Sequence, residues 1–165
     1  MKIALSQRFE DALVFAARLH AKQTRKGGNI PYISHLLGVT SLVLEAGGSE
    51  DEAIAALLHD GPEDQGGEKT LTDIRHRFGN EVAEIVAACS DTFDDPKPPW
   101  KARKEAYLEK LEFATESVLL VSCADKLHNA RSILTDYRNV GDALWQRFRG
   151  GKDGTLWYYS ALADC

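Results

Sequence analysis

The chain has 165 residues, 44% hydrophobic and 27% charged, and a formal charge of −5. That length supports one domain, 1–165, with a full core, and the negative balance gives no general affinity for nucleic acid polymers or anionic membranes, so a nucleotide partner has to be held by a local basic patch. No apolar run approaches the ~18 residues of a membrane span, Met1-Lys2-Ile3-Ala4-Leu5 leads straight into charged sequence, and Cys89, Cys123 and Cys165 are widely spaced with no Cys-x-x-Cys pair, so a cytoplasmic protein with buried, reduced thiols is expected.

Apolar residues at Phe9, Leu13, Ala16, Ala17 and Leu19 predict a first helix from Ser6 to near His20. Lys22 to Pro31 follows as a basic loop whose glycines and proline argue against regular structure and whose cations can hold an anion. A second helix starts near Ile33 or Ser34, carries His35 in its first turn, and stops at Gly47-Gly48. Ser49 with Glu52 forms a capping box for a third helix, which delivers His59 and Asp60 at its end. Pro62 is expected to push Gly61 out of the α region and to open a new turn that carries Glu63 and Asp64 back over the same spot.

Thr70 and Thr72 are candidate caps for a short helix ending at Phe78-Gly79, and Asn80 for another bearing Val82, Ile85, Val86 and Cys89. Ser90 to Pro99 reads as a long proline-rich loop, and Trp100 to Phe113 as an amphipathic helix with Tyr107 and Leu111 inward. Ser117 to Leu134 is apolar almost all round its first half, which marks a buried helix, yet it carries Asp125, Lys126, His128, Asn129 and Arg131. Asp142 to Arg149 and Asp153 to Ala163 read as two last helices. No run alternates with strand period, so the class is all-α, a bundle of about eight or nine helices.

Two imidazoles, His35 and His59, and two carboxylates, Asp60 and Asp125, suit a divalent ion; without thiolates they favour manganese or iron over structural zinc. Each also has an ordinary reading, His35 as a helix-start polar residue, Asp125 as a partner of Lys126 or Arg131, and the His-Asp doublet as part of a solvated acidic turn. A buried Asp needs a partner or a metal, and spacing alone leaves both open.

The blocks Tyr32-Ile33-Ser34-His35-Leu36, Leu57 to Asp64 and Ala124 to Arg131 resemble, in that order, the signature blocks of HD metal-dependent phosphohydrolases, specifically the hydrolase domain of RelA/SpoT-type alarmone enzymes and the small alarmone hydrolases. The resemblance implies that His35, His59, Asp60 and Asp125 bind one Mn²⁺ and that Glu63 with Asp64 orients and deprotonates the attacking water. Arg25 and Lys26 would line a nucleotide pocket, with Asn129 beside the ribose or metal shell. The implied reaction removes pyrophosphate from the 3′ position of ppGpp to leave GDP. Arg25, Lys26, Lys97, Lys101, Arg103, Arg147, Arg149 and Lys152 form the pool of cations for the phosphates, and Trp145, Arg147 and the Gly150-Gly151-Lys152 turn can close over them. Lys97-Pro98-Pro99-Trp100 follows no pattern of the bifunctional enzymes, which leaves the base open, and Gly61-Pro62 is unusual between doublet and Glu63. With no room for a synthetase region, hydrolysis or binding is expected. Another nucleotide substrate, such as an adenosine alarmone, a deoxynucleoside monophosphate or a phosphorylated dinucleotide, and a non-catalytic binding fold remain the alternatives.

Overall fold

Ser6 accepts a hydrogen bond from the Arg8 N–H and caps helix α1, Gln7–Leu19, which forms where the apolar spacing predicts it. The computed structural model describes residues 4–92 and 96–164; expectations at Met1-Lys2-Ile3, within the proline-rich loop at 93–95 and at Cys165 lie outside the described residues. In chain order there follow α2 (Ile33–Glu45), α3 (Glu50–Leu58), the single turn α4 (Gly61–Asp64), α5 (Gly67–Phe78), α6 (Asn80–Cys89), α7 (Trp100–Leu111), α8 (Glu116–Val140), a 3-10 helix (Gly141–Arg147) and α9 (Gly151–Asp164). The described residues are all-α, as the absence of strand periodicity predicts. Within the basic loop an isolated antiparallel bridge pairs Thr24 with Pro31, so the loop is more ordered than its glycines and proline suggest.

α3 is the hub. Its capping box at Ser49 and Glu52 forms in both directions, and Ala53 through Leu58 are all buried, which requires neighbours on every side. Leu36, Val39 and Val43 of α2, Ala12 and Ala16 of α1, Val82 and Val86 of α6, and Val121 of α8 build the main core around it. A smaller cluster of Tyr107, Leu111 and Tyr158 joins α7 to α9.

Several boundaries differ from the pattern-based reading. α5 begins at Gly67, because Gly66 adopts a left-handed backbone (φ 97) and Thr70 turns its hydroxyl back to the Gln65 carbonyl instead of capping. Gly79 (φ 98) does the same before α6, leaving Asn80 inside the helix with no capping side chain in use. α8 runs past Leu134 to Val140, and the following segment is 3-10, not α. Only one stripe of α8 is buried, through Val118, Val121, Ser122, Ala124 and Asp125. Cys123 lies off that stripe with half-exposed Leu119 and Leu127, so it is exposed where a buried thiol was expected, while Cys89 is buried. Burial pushes the Cys89 thiol up to about 11, which leaves it protonated and unreactive. No helix among the described residues is long and apolar enough to cross a membrane.

Candidate metal centre

Three elements of the main core deliver the polar cluster: the first turn of α2 brings His35, the end of α3 brings His59 and Asp60, and the buried stripe of α8 brings Asp125. The helix break lies at His59 and Asp60; Gly61 is already helical, because Pro62, lacking an N–H, sits in a first turn where none is needed. The reading that put Gly61 outside the α region is corrected accordingly. His35 Nε2 lies 3.3 Å from Asp60 Oδ2 and 3.2 Å from Asp125 Oδ1. His59 Nε2 lies 3.1 and 3.5 Å from the same two atoms. Both imidazole nitrogens are buried without a hydrogen-bond partner, and one ligand atom from each of His35, His59 and Asp125 falls within 4.8 Å of the others. Two unpartnered imidazole nitrogens facing two carboxylates are a donor set that a divalent cation fits.

The electrostatics favour positive charge at this point. Burial opposes a charge on His59, yet Asp60 and Asp125 push its imidazole well above the ordinary value. Burial would raise both carboxyls too; His59 and His35 hold Asp60 well below the usual range, and Lys126 with the two imidazoles does so for Asp125.

Every member of the cluster is oriented from outside. His59 Nδ1 donates to the Ala56 carbonyl at 2.8 Å, which leaves Nε2 as the bare nitrogen. The Tyr32 hydroxyl donates to Asp60 Oδ2 at 2.7 Å, and Asn129 Nδ2 donates to Asp125 Oδ1 at 2.6 Å. Lys126 Nζ meets Asp125 Oδ2 at 2.5 Å and lies over the Tyr107 ring. His35 Nδ1 lies 2.9 Å from His128 Nδ1, and burial, with His35 and Arg25 nearby, brings His128 down to about 4.

Glu63 and Asp64 part company beyond the break. Glu63 Oε1 pairs with Lys97 Nζ at 3.0 Å, and Oε2 accepts the Asp91 N–H at 3.4 Å. Burial and the Asp91 charge raise the Glu63 carboxyl, against the pull of Lys97. Asp91 in turn takes Arg103 Nη1 at 2.5 Å and Lys104 Nζ at 2.9 Å. Asp64 faces the other way, its Oδ2 accepting from Gln23 Nε2 at 2.7 Å. The turn therefore does not gather all four side chains at one point: Glu63 stays on the side of Asp91 and Lys97, and Asp64 on that of the basic loop.

Of the expected substrate contacts, Arg25 donates to Asn129 Oδ1 at 2.6 Å and lies over the Tyr32 ring, one residue out from Asp125 and Asp60. Lys26 is exposed on the same loop. Arg147 pairs with Asp136 at 3.1 Å and its guanidinium covers Gly27, where a Cβ would come within 2.5 Å. Arg103, counted in the pool of cations for the phosphates, is instead buried, donating to the Asp91 carboxylate and the Pro98 carbonyl. Tyr32, Lys126, His128, Gln23 and Asp91 had no functional assignment from spacing. The adjacency of Lys126 to a buried Asp, and the place of His128 three residues on along the same helix face, were the local signals among them.

The profile of the HD domain family matches residues 12–156. The protein named guanosine-3′,5′-bis(diphosphate) 3′-pyrophosphohydrolase MESH1 from Xenopus tropicalis is 38% identical over 126 residues, covering 74% of this chain and 68% of that one, and its Homo sapiens namesake is 36% identical over the same shares. Among solved structures, one described as a metazoan ortholog of SpoT that hydrolyzes ppGpp is similar with a TM-score of 0.71 and 25% identity, over 99% of this chain and 96% of that one. Another, from Listeria monocytogenes EGD-e, gives 0.70 and 32% identity over 79% and 81%. A profile match over most of the length and a fold shared over nearly all of it agree with the residue blocks around His35, His59 and Asp125: the chain belongs to the HD domain family of metal-dependent phosphohydrolases.

Proposed function

We propose that this chain, acting as a single domain over 1–165, is an Mn²⁺-dependent hydrolase of the 3′-pyrophosphate of a guanosine alarmone, converting ppGpp to GDP and pyrophosphate. The observation that carries the reading is the convergence of two buried, unpartnered imidazole nitrogens on Asp60 and Asp125, with the raised carboxyl of Glu63 within electrostatic reach of Asp60. The relatives at 36% and 38% identity that carry the pyrophosphohydrolase name support the substrate.

His35, His59, Asp60 and Asp125 would hold the ion, and the nitrogen and oxygen donors suit manganese. Bound there, such an ion supplies a Lewis acid for a phosphoryl oxygen and brings the pKa of a coordinated water toward neutrality. Glu63 takes the proton of the attacking water, a role for which burial and the Asp91 charge suit it by raising its affinity for a proton. Asp64, which Gln23 holds on the side of the basic loop, stands apart from Glu63, so the proton transfer rests on Glu63. The water oxygen bonds to the phosphorus attached to the ribose 3′ oxygen, that P–O bond breaks, and the ribose oxygen leaves as a hydroxyl by taking up the proton that Glu63 accepted. Arg25 and Asn129, which already touch each other at the rim, meet the phosphates and ribose, while Lys26 and Arg147 bring further charge from the loop and the 3-10 helix. The partner is a small nucleotide.

The test is a metal-supplemented panel of 3′-, 5′- and cyclic-phosphate nucleotides, read by product identity. GDP and pyrophosphate from ppGpp, with about one Mn²⁺ per chain and sharply reduced uptake in Asp125→Ala, is the expected result. Turnover only of an adenosine alarmone, a deoxynucleoside monophosphate or a phosphorylated dinucleotide would move the substrate, and full metal content in both His35→Ala and Asp125→Ala would overturn the site.

A further inference from the structure

His128 follows Asp125 by three residues on α8, and its ring meets that of His35 between α8 and α2. The two Nδ1 atoms are 2.9 Å apart, with ring centroids at 4.8 Å and planes inclined by 59°. Two ring nitrogens at that separation share one hydrogen, so one donates and the other accepts. His59 has no such freedom: its Nδ1 faces a backbone carbonyl, which only accepts. His35 instead faces a group that can play either part.

The opposite side of the His128 ring is as closely defined. Gly38 lies on α2 in the turn after His35, and a Cβ there would come within 2.4 Å of His128 Cδ2 and Nε2. Gly38 does not have a positive φ, and glycine inside a helix is less favourable than alanine. Backbone conformation gives no reason for it; room for the His128 ring does. The ring is thus hydrogen-bonded at one edge and admitted by a missing side chain at the other.

We infer that His128 is a positioning residue for the metal centre: in its Nε2–H form it accepts the Nδ1–H of His35, so that the Nε2 lone pair of His35 points at Asp60 and Asp125. The inference rests on the metal reading of the preceding section. It makes the two imidazoles unequal, one set by main chain and the other by a side chain that a single substitution removes.

The experiment measures Mn²⁺ affinity, metal-free thermal stability and the imidazole ¹⁵N spectrum of His35 in the wild type and in His128→Leu, His128→Asn and Gly38→Ala. Leucine fills the space without an acceptor, whereas asparagine returns an amide oxygen near the position of Nδ1. His128→Leu is expected to weaken Mn²⁺ binding by roughly 10–100-fold, and its His35 signals to lose the pure Nδ1–H pattern of the wild type. His128→Asn is expected to restore most of the affinity. Gly38→Ala, which crowds the ring without altering any hydrogen-bonding atom, should shift affinity in the same direction as leucine. Wild-type affinity in a folded His128→Leu protein, or asparagine no better than leucine, overturns the inference. Equal metal uptake by the wild type and His35→Ala would instead overturn the metal reading itself, so the two failures are told apart.

Discussion

The frame around the metal centre and the region from Ser90 through α7 to α9 are held together by different forces. In the first, the ligand-bearing elements are locked in the main apolar core, and hydrogen bonds to Ala56, Tyr32, Asn129 and Lys126 fine-tune side chains whose backbones are already fixed. In the second, the apolar cluster has three buried residues among the described ones, with partly buried neighbours, and beside it Asp91 pairs with Arg103 and Lys104 and Glu63 with Lys97. The backbones that carry the candidate ligands stand on close packing, whereas the Ser90 side adds charge pairs, one of them buried, to a smaller apolar cluster.

That contrast can be broken at its strongest point. Leu57→Ala, at a fully buried site of α3, should cost about 3 kcal/mol, and Leu111→Ala in the smaller cluster about 2 kcal/mol, both by urea unfolding; equal costs would erase the distinction. Next in size, Glu63→Gln should lower ppGpp turnover by roughly 10²-fold while Mn²⁺ content and unfolding midpoint stay near wild type. Near-normal turnover would make Glu63 a helix-start carboxylate and nothing more.

Asp91→Asn sharpens the comparison through pH. Burial would raise the Asp91 carboxyl, but Lys104 and Arg103 hold it below its ordinary value. A carboxyl depressed in the folded state stabilises it above the unfolded pKa, and that stability is lost as pH falls through the folded value. The variant should therefore be less stable by about 2 kcal/mol at neutral pH and approach the wild type below the ordinary carboxylate range. A stability difference that does not change with pH would assign the effect to packing. The smallest effect is expected at the rim: replacing Arg25 and Lys26 together by Ala should raise KM about tenfold, the ~1.4 kcal/mol scale of one lost charged contact, with metal content intact.

What could be read in advance follows from how far apart in sequence the interacting groups lie. His35, His59, Asp60 and Asp125 stand out because each sits in a short block whose own helix signals place it at an element's start, end or buried stripe. The capping box at Ser49 and Glu52 was legible for the same local reason. Thr70 and Asn80 misled because the same residue types cap helices or bond elsewhere, and here Gly66 and Gly79 open the helices by backbone conformation. The meetings of His35 with His128, Asp91 with Arg103 and Gln23 with Asp64 are tertiary: periodicity says which face of a helix is apolar, not which residue of another helix it will find.

The placement of the four candidate ligands also bears on how the chain folds. They come from α2, the end of α3 and the middle of α8, so no fragment ending before Asp125 holds the whole set. An ion bound by all four would act as a staple across most of the chain, favouring the native ensemble and ignoring the denatured one. By mass action it would add about 2.7 kcal/mol at a free concentration a hundred times its dissociation constant. Chelation would then lower the melting temperature as well as the activity, and cells short of the ion would hold less folded protein, so metal supply would govern abundance as well as rate.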